Sequence, residues 1–120
     1  MLFIAAKVIT IILLHPQNST AIQSWTFKDE SIIRIGRATD NHVVLYSAVV
    51  SRHHLELQQI NKNWQIINLG ANGTFLDDEP LRKTVPLLDG VILRLARSGP
   101  KLQIWSGAVP LQQKQIQTTT

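Results

Sequence analysis

No stretch of twelve or more residues in this chain repeats apolar side chains at the 3.6-residue spacing of a helix. Short runs rich in Ile, Val, Leu and Thr alternate instead with turn residues at close intervals, the punctuation of an all-β sandwich or barrel. Strands are expected over residues 7–14, 25–27, 31–35, 42–45, 64–69, 74–76 and 102–105. Leu55 and Leu57 alternate with Glu56 and Gln58, and Val91, Leu93 and Leu95 alternate with Ile92, Arg94 and Ala96, so each set gives one strand face to a core. Asn61-Lys62-Asn63 reads as a tight hairpin turn, and Asn72-Gly73 as a second turn. Asp77-Asp78-Glu79-Pro80 reads as an acidic loop.

With 120 residues the chain fits one domain, and at that size a sandwich buries enough apolar surface to fold without covalent staples. Cysteine is absent, which excludes disulfides and thiolate metal sites and fits a reducing, cytoplasmic setting. The apolar run over residues 1–14 is interrupted by Lys7 and is shorter than the roughly 18 residues of a membrane span. It also lacks the charge order and cleavage site of a signal peptide, and reads as a buried first strand. A domain over residues 1–106 and a small, polar, disordered tail over 107–120 are expected.

The formal charge is +4, which favours anionic partners, but the basic residues are scattered. No clustered basic stripe or aromatic-basic interleaving of a nucleic-acid binder is present. Trp25, Phe27, Trp64, Phe75 and Trp105 fall at strand positions and read as core. No glycine-rich nucleotide loop surrounds Gly36, and Ser51 lies in no nucleophile elbow with an obvious Asp to orient a histidine. His53 and His54 are adjacent and so face opposite ways on a strand, a poor start for a metal site. No catalytic residue, metal or cofactor is expected.

Three loop segments carry the remaining chemistry: Gly36-Arg37, Ser51-Arg52-His53-His54 and Asn72-Gly73, each beside a strand. Loops gather at the ends of a sandwich, so these can converge on one patch. A phosphorylated side chain presents about −1.5 to −2 charges and three acceptor oxygens. An Arg fork meets two of them, a Ser hydroxyl donates a further bond, and Asn can grip a ligand main chain.

The order Ile35-Gly36-Arg37, Asn41, Val50-Ser51-Arg52-His53-His54 and Asn72-Gly73-Thr74 resembles the signature of forkhead-associated (FHA) domains, over roughly residues 7–105. The resemblance implies an eleven-stranded β-sandwich, not an enzyme, whose loops at one end recognise phosphothreonine on a partner protein. The partner would be a Ser/Thr kinase or its substrate. On that pattern Arg37 and Ser51 meet the phosphate, Arg52 adds positive charge, and Asn72 bonds the peptide backbone. Gly36, Asn41, His54 and Gly73 support the loops.

The chain departs from the pattern in three places. Gly70-Ala71 replaces the hydroxyl-bearing pair that often precedes Asn-Gly, Asp77-Asp78 replaces a later Asn-Gly hairpin, and a Gly-Asp pair is reversed as Asp89-Gly90. The missing hydroxyl motivates an alternative, a scaffold of the same fold that binds a fixed partner without phosphate. Ser47-Ala48-Val49-Val50, which in such domains helps read a flanking ligand residue, has no charge, so no acidic preference is expected there.

Overall fold

The computed structural model describes residues 8–107 and contains eleven strands and no helix among them. They are β1 (Val8–Leu14), β2 (Ala21–Lys28), β3 (Ile32–Gly36), β4 (Val43–Val44), β5 (Leu55–Ile60), β6 (Asn63–Asn68), β7 (Thr74–Leu76), β8 (Glu79–Pro80), β9 (Val85–Pro86), β10 (Val91–Leu95) and β11 (Lys101–Ser106). Two sheets form the sandwich, a six-stranded sheet ordered β2-β1-β11-β10-β7-β8 and a five-stranded one ordered β4-β3-β5-β6-β9. Every pairing is antiparallel except β3 with β4, where Ile35 lies opposite Val43. No helix among the described residues is long and apolar enough to cross a membrane.

Period-2 alternation sets the core. Ile9 and Ile11 of β1, Leu93 and Leu95 of β10, and Leu102 and Ile104 of β11 point inward from the larger sheet. They meet Ile33, Ile35, Leu55, Leu57, Trp64 and Ile66 from the smaller one. Full burial of each such side chain contributes about 2 kcal/mol. The opposite face of β1 is also apolar: Ile12 and Leu14 cluster with Ala21 and Trp105 on the outside of the six-stranded sheet.

The turns follow residue chemistry. Asn61 and Lys62 both take positive φ, as a two-residue hairpin between right-twisted strands requires, and so register Ile60 with Asn63. Asp77 and Asp78 do the same between β7 and β8, so the expected acidic loop is a hairpin whose second strand is Glu79–Pro80. β2 begins four residues before the expected 25–27 strand, because as an edge strand it buries little of its first half. The 42–45 strand shortens to Val43–Val44. Lys7 and residues 108–120, and with them most of the expected tail, lie outside the described residues. Gly107 N–H donates to Val8 O (2.8 Å).

Strand direction then decides where the loops meet. β3 and β6 run toward one end of the sandwich, and β5, β7 and β9 start there. The 37–42, 45–54, 69–73 and 81–84 loops therefore share that end, as does the 96–100 loop, where Ala96 N–H donates to Gly73 O (2.8 Å).

Candidate functional site

Gly36 ends β3 where the chain must pass against the 45–54 loop. A Cβ on it would lie 2.3 Å from Arg52 O, closer than any side chain can sit. With that approach open, Arg37 N–H donates to Ser51 O (2.9 Å) and Ala38 N–H to Arg52 O (3.0 Å). Asn41 is buried, and its Nδ2 donates both to Ala38 O (2.7 Å) and to Arg52 O (2.8 Å). The first two loops are thus welded through backbone groups and one amide.

His54 joins the second loop to the third. Its ring is fully buried, accepting from Ser51 N–H at Nδ1 (3.0 Å) and donating from Nε2–H to Gly73 O (2.7 Å). That pairing fixes the neutral tautomer. Burial lowers the His54 pKa from its ordinary value, and the bond to Gly73 O opposes the shift only in part. His54 O also accepts from Leu69 N–H (2.8 Å) and Gly70 N–H (3.0 Å).

Gly70 lies flat against this imidazole. An added Cβ would be 2.5 Å from Cε1, so the position has no room for any side chain. The departure at Gly70 is therefore a packing requirement of this His54, which the sequence alone did not reveal. Asn68 braces the same turn: its Oδ1 accepts from Gly70 N–H (3.2 Å) and from the buried Thr74 hydroxyl (2.8 Å), and its Nδ2 donates to Gly70 O (3.2 Å). Gly73, at φ +82°, closes the loop in a conformation that favours glycine.

Above this frame stand Arg37, Ser51, Arg52 and Asn72, all on the three converging loops. Arg37 is exposed, with its Nε–H donating to Val50 O (3.0 Å), so the guanidinium is anchored at one nitrogen while the rest of the fork faces solvent. Ser51 Oγ accepts from Ala71 N–H (3.2 Å), and Asn72 Nδ2 donates to Val49 O (3.0 Å), each tying the third loop to the second. Ser51 thus keeps its hydroxyl proton for another acceptor, and Asn72 keeps its amide oxygen.

Arg52 is exposed and does not pair with Glu56, four residues along the chain. Glu56 instead meets Arg34 across the β3–β5 register (3.4 Å). Asp40, which sequence reasoning passed over, holds His53 Nε2 at 3.0 Å. The hydrogen bond to His53 comes first among the causes holding the Asp40 carboxyl below its ordinary range, with the Arg52 charge contributing less. The two adjacent histidines thus have separate partners, His53 outside and His54 inside. No group of three or more His, Asp or Glu side chains placed to hold a metal ion occurs among the described residues.

A rigid backbone frame under an Arg, a Ser and an Asn gives a small, open, cationic surface. It has no nucleophile paired with a base: the His54 ring is consumed by Ser51 N–H and Gly73 O, and the Ser51 hydroxyl meets a backbone amide.

The FHA domain family model matches residues 33–96, which takes in all three loops. The transcriptional regulatory protein EmbR of Mycobacterium tuberculosis is 40% identical over 75 residues, 62% of this chain and 19% of EmbR. The glycogen accumulation regulator GarA of the same species is 33% identical over 58 residues, 48% of this chain and 36% of GarA. The chain thus spans about a fifth of the length of the first relative and a third of the second.

Among solved structures, M. tuberculosis EmbR in complex with a low affinity phosphopeptide superposes with a TM-score of 0.67 and 28% identity, over 84% of this chain and 25% of that one. The FHA domain of an Arabidopsis thaliana protein superposes at 0.75 over 92% of this chain and 94% of that one; at 23% identity it speaks for the fold. A two-sheet sandwich of eleven strands, the Gly36 to Gly73 loop frame and the family match together place this chain in the FHA domain family.

Proposed function

We propose that this chain is a non-enzymatic adaptor that reads phosphothreonine on a partner protein, a Ser/Thr kinase or its substrate. Arg37 and Ser51 meet the phosphate, Arg52 adds positive charge beside it, and Asn72 holds the ligand main chain. The observation that carries the reading is the convergence of these four side chains on one end of the sandwich, over a frame held by His54 and Asn41. The solved EmbR complex with a phosphopeptide supports it. The Ser51–Ala71 and Asn72–Val49 bonds hold the two side chains in place before ligand arrives, which lowers the ordering cost of binding.

The test is retention on a degenerate peptide library centred on phosphothreonine, beside phosphoserine and unphosphorylated versions. Selective retention of phosphothreonine, lost in Arg37→Ala, supports the reading. Equal retention of the unphosphorylated library, unchanged in Arg37→Ala, overturns it in favour of the phosphate-independent scaffold.

A further inference from the structure

The 81–84 loop crosses from β8 in one sheet to β9 in the other at the same end as the three site loops, and nothing in the reading above uses it. Leu81 N–H donates to Thr74 O (2.8 Å), the first residue after Gly73. β9 pairs with β6, so residues 82–84 stand beside the end of β6. There a cleft of about 330 Å³ opens, lined by Ile67, Asn68, Leu81, Arg82, Lys83 and Thr84. Asn68 is shared: one face lines this cleft, while its amide braces the Gly70–Thr74 turn that carries Asn72.

Arg82 and Lys83 are both exposed, and neither forms an ion pair among the described residues. Asp77 and Asp78 lie at the far turn of the β7–β8 hairpin, so the cleft is cationic. We propose that Arg82 and Lys83 form a second subsite that takes an anionic side chain of the same phosphopeptide, a carboxylate or a second phosphate, about four residues from the phosphothreonine. The proposal rests on the phosphothreonine reading.

The spacing follows from the sheet. Arg37 leaves the end of β3 and the cleft flanks β9, three strands away in the order β3-β5-β6-β9. Strands lie about 4.8 Å apart and an extended peptide advances about 3.3 Å per residue, so about four residues cover the interval. Asn72, on the loop after β6, lies between the two positions and would hold the intervening main chain. The Ser47-Ala48-Val49-Val50 stretch carries no charge.

Peptides carrying one phosphothreonine and an Asp, Glu, second phosphothreonine, Gln or Ala at each flanking position in turn would be measured by fluorescence anisotropy. An anion at one position about four residues from the mark is expected to tighten binding about threefold over Gln, the scale of an exposed ion pair. The gain over Gln should vanish in the double variant Arg82→Ala/Lys83→Ala. The Asp, Glu and phosphothreonine arms distinguish the two anion sources.

Binding of phosphothreonine with no preference at any flanking position overturns this inference and leaves the phosphothreonine reading intact. A gain that survives the double variant also overturns it, as does one lost instead in Arg97→Ala, which removes the exposed arginine that lies over the Phe75 ring in the 96–100 loop. Failure of every phosphopeptide to bind overturns both.

Discussion

Replacing His54 with alanine tests the frame on which the whole site stands. Three losses follow from its position. The ring leaves a hole in a fully buried place, which costs about 2 kcal/mol at the lower end of large-to-small truncations because an imidazole is smaller than a phenyl ring. Ser51 N–H loses its acceptor in a half-buried place, which costs about 1 kcal/mol since water reaches it in part. Gly73 O loses one donor but keeps Ala96 N–H, so that bond is worth about 1 kcal/mol and no more.

The total is about 4 kcal/mol, a large fraction of the 5–15 kcal/mol that holds a domain of this size together. Urea denaturation followed by tryptophan fluorescence would measure it. With a slope of about 1–3 kcal/mol per molar for small proteins, the midpoint should fall by about 1–4 M. Phosphopeptide affinity, measured at low urea where the variant is still folded, should also fall, because Ser51 and Gly73 no longer share a tether. A loss below about 1 kcal/mol with affinity within twofold of the parent would refute the view that this ring couples the two loops.

Gly36→Ala places a methyl against the Arg52 carbonyl, a backbone group that cannot swing aside, and should cost about 3 kcal/mol in the same urea titration. Gly70→Ala meets the His54 ring instead and should reduce phosphopeptide affinity as well as stability, by about 1–3 kcal/mol in the latter; near-parent values in both would count against the tight stacking described. Arg37→Lys keeps the charge but loses the anchored fork, so it should bind phosphopeptide about tenfold more weakly, read by anisotropy.

The pH dependence of stability should show the buried histidine. His54 has its folded pKa lowered from 6.5, so the unfolded chain binds the proton more readily. Its contribution is therefore complete above about pH 6.5 and is lost as pH falls from there toward the folded value. His54→Gln should flatten this part of the profile; an unchanged slope would reject the assignment.

Much of this molecule was legible in its residues, and the parts that were not have physical reasons. The β5–β6 hairpin could be read because Asn61-Lys62 sits between two alternating runs, and the structure registers those strands around it. The 36–37, 51–54 and 72–73 segments could be singled out because Arg, Ser and Asn in turns beside apolar strands have few structural reasons to cluster. β9 was invisible: two residues, one of them proline, leave no periodicity to detect. β4 was overdrawn because the apolar run Val43-Val44-Leu45 does not say how many residues find a partner.

Contacts between distant residues were the least accessible. Asp40 meets His53 across thirteen positions, and Gly70 is shaped by a ring sixteen residues earlier. Asn68 looked like the tail of a strand, yet it braces the ligand-side turn. An Asn two residues ahead of Gly70, whose side chain can accept from that backbone N–H, is a turn-capping signal that could have identified it.

The pairing of β1 with β11 has a further consequence. Ile9 lies opposite Ser106, and both are at the end of the sandwich remote from the recognition loops. The chain therefore enters and leaves the fold side by side, like two leads on the base of a plug whose pins face the other way. A fluorescent protein or a surface anchor fused at either lead should hang clear of the binding face, and one domain inserted into a loop of another would span only the width of two neighbouring strands. A module wired in this manner can be moved between longer proteins without redesigning the surface that reads its ligand.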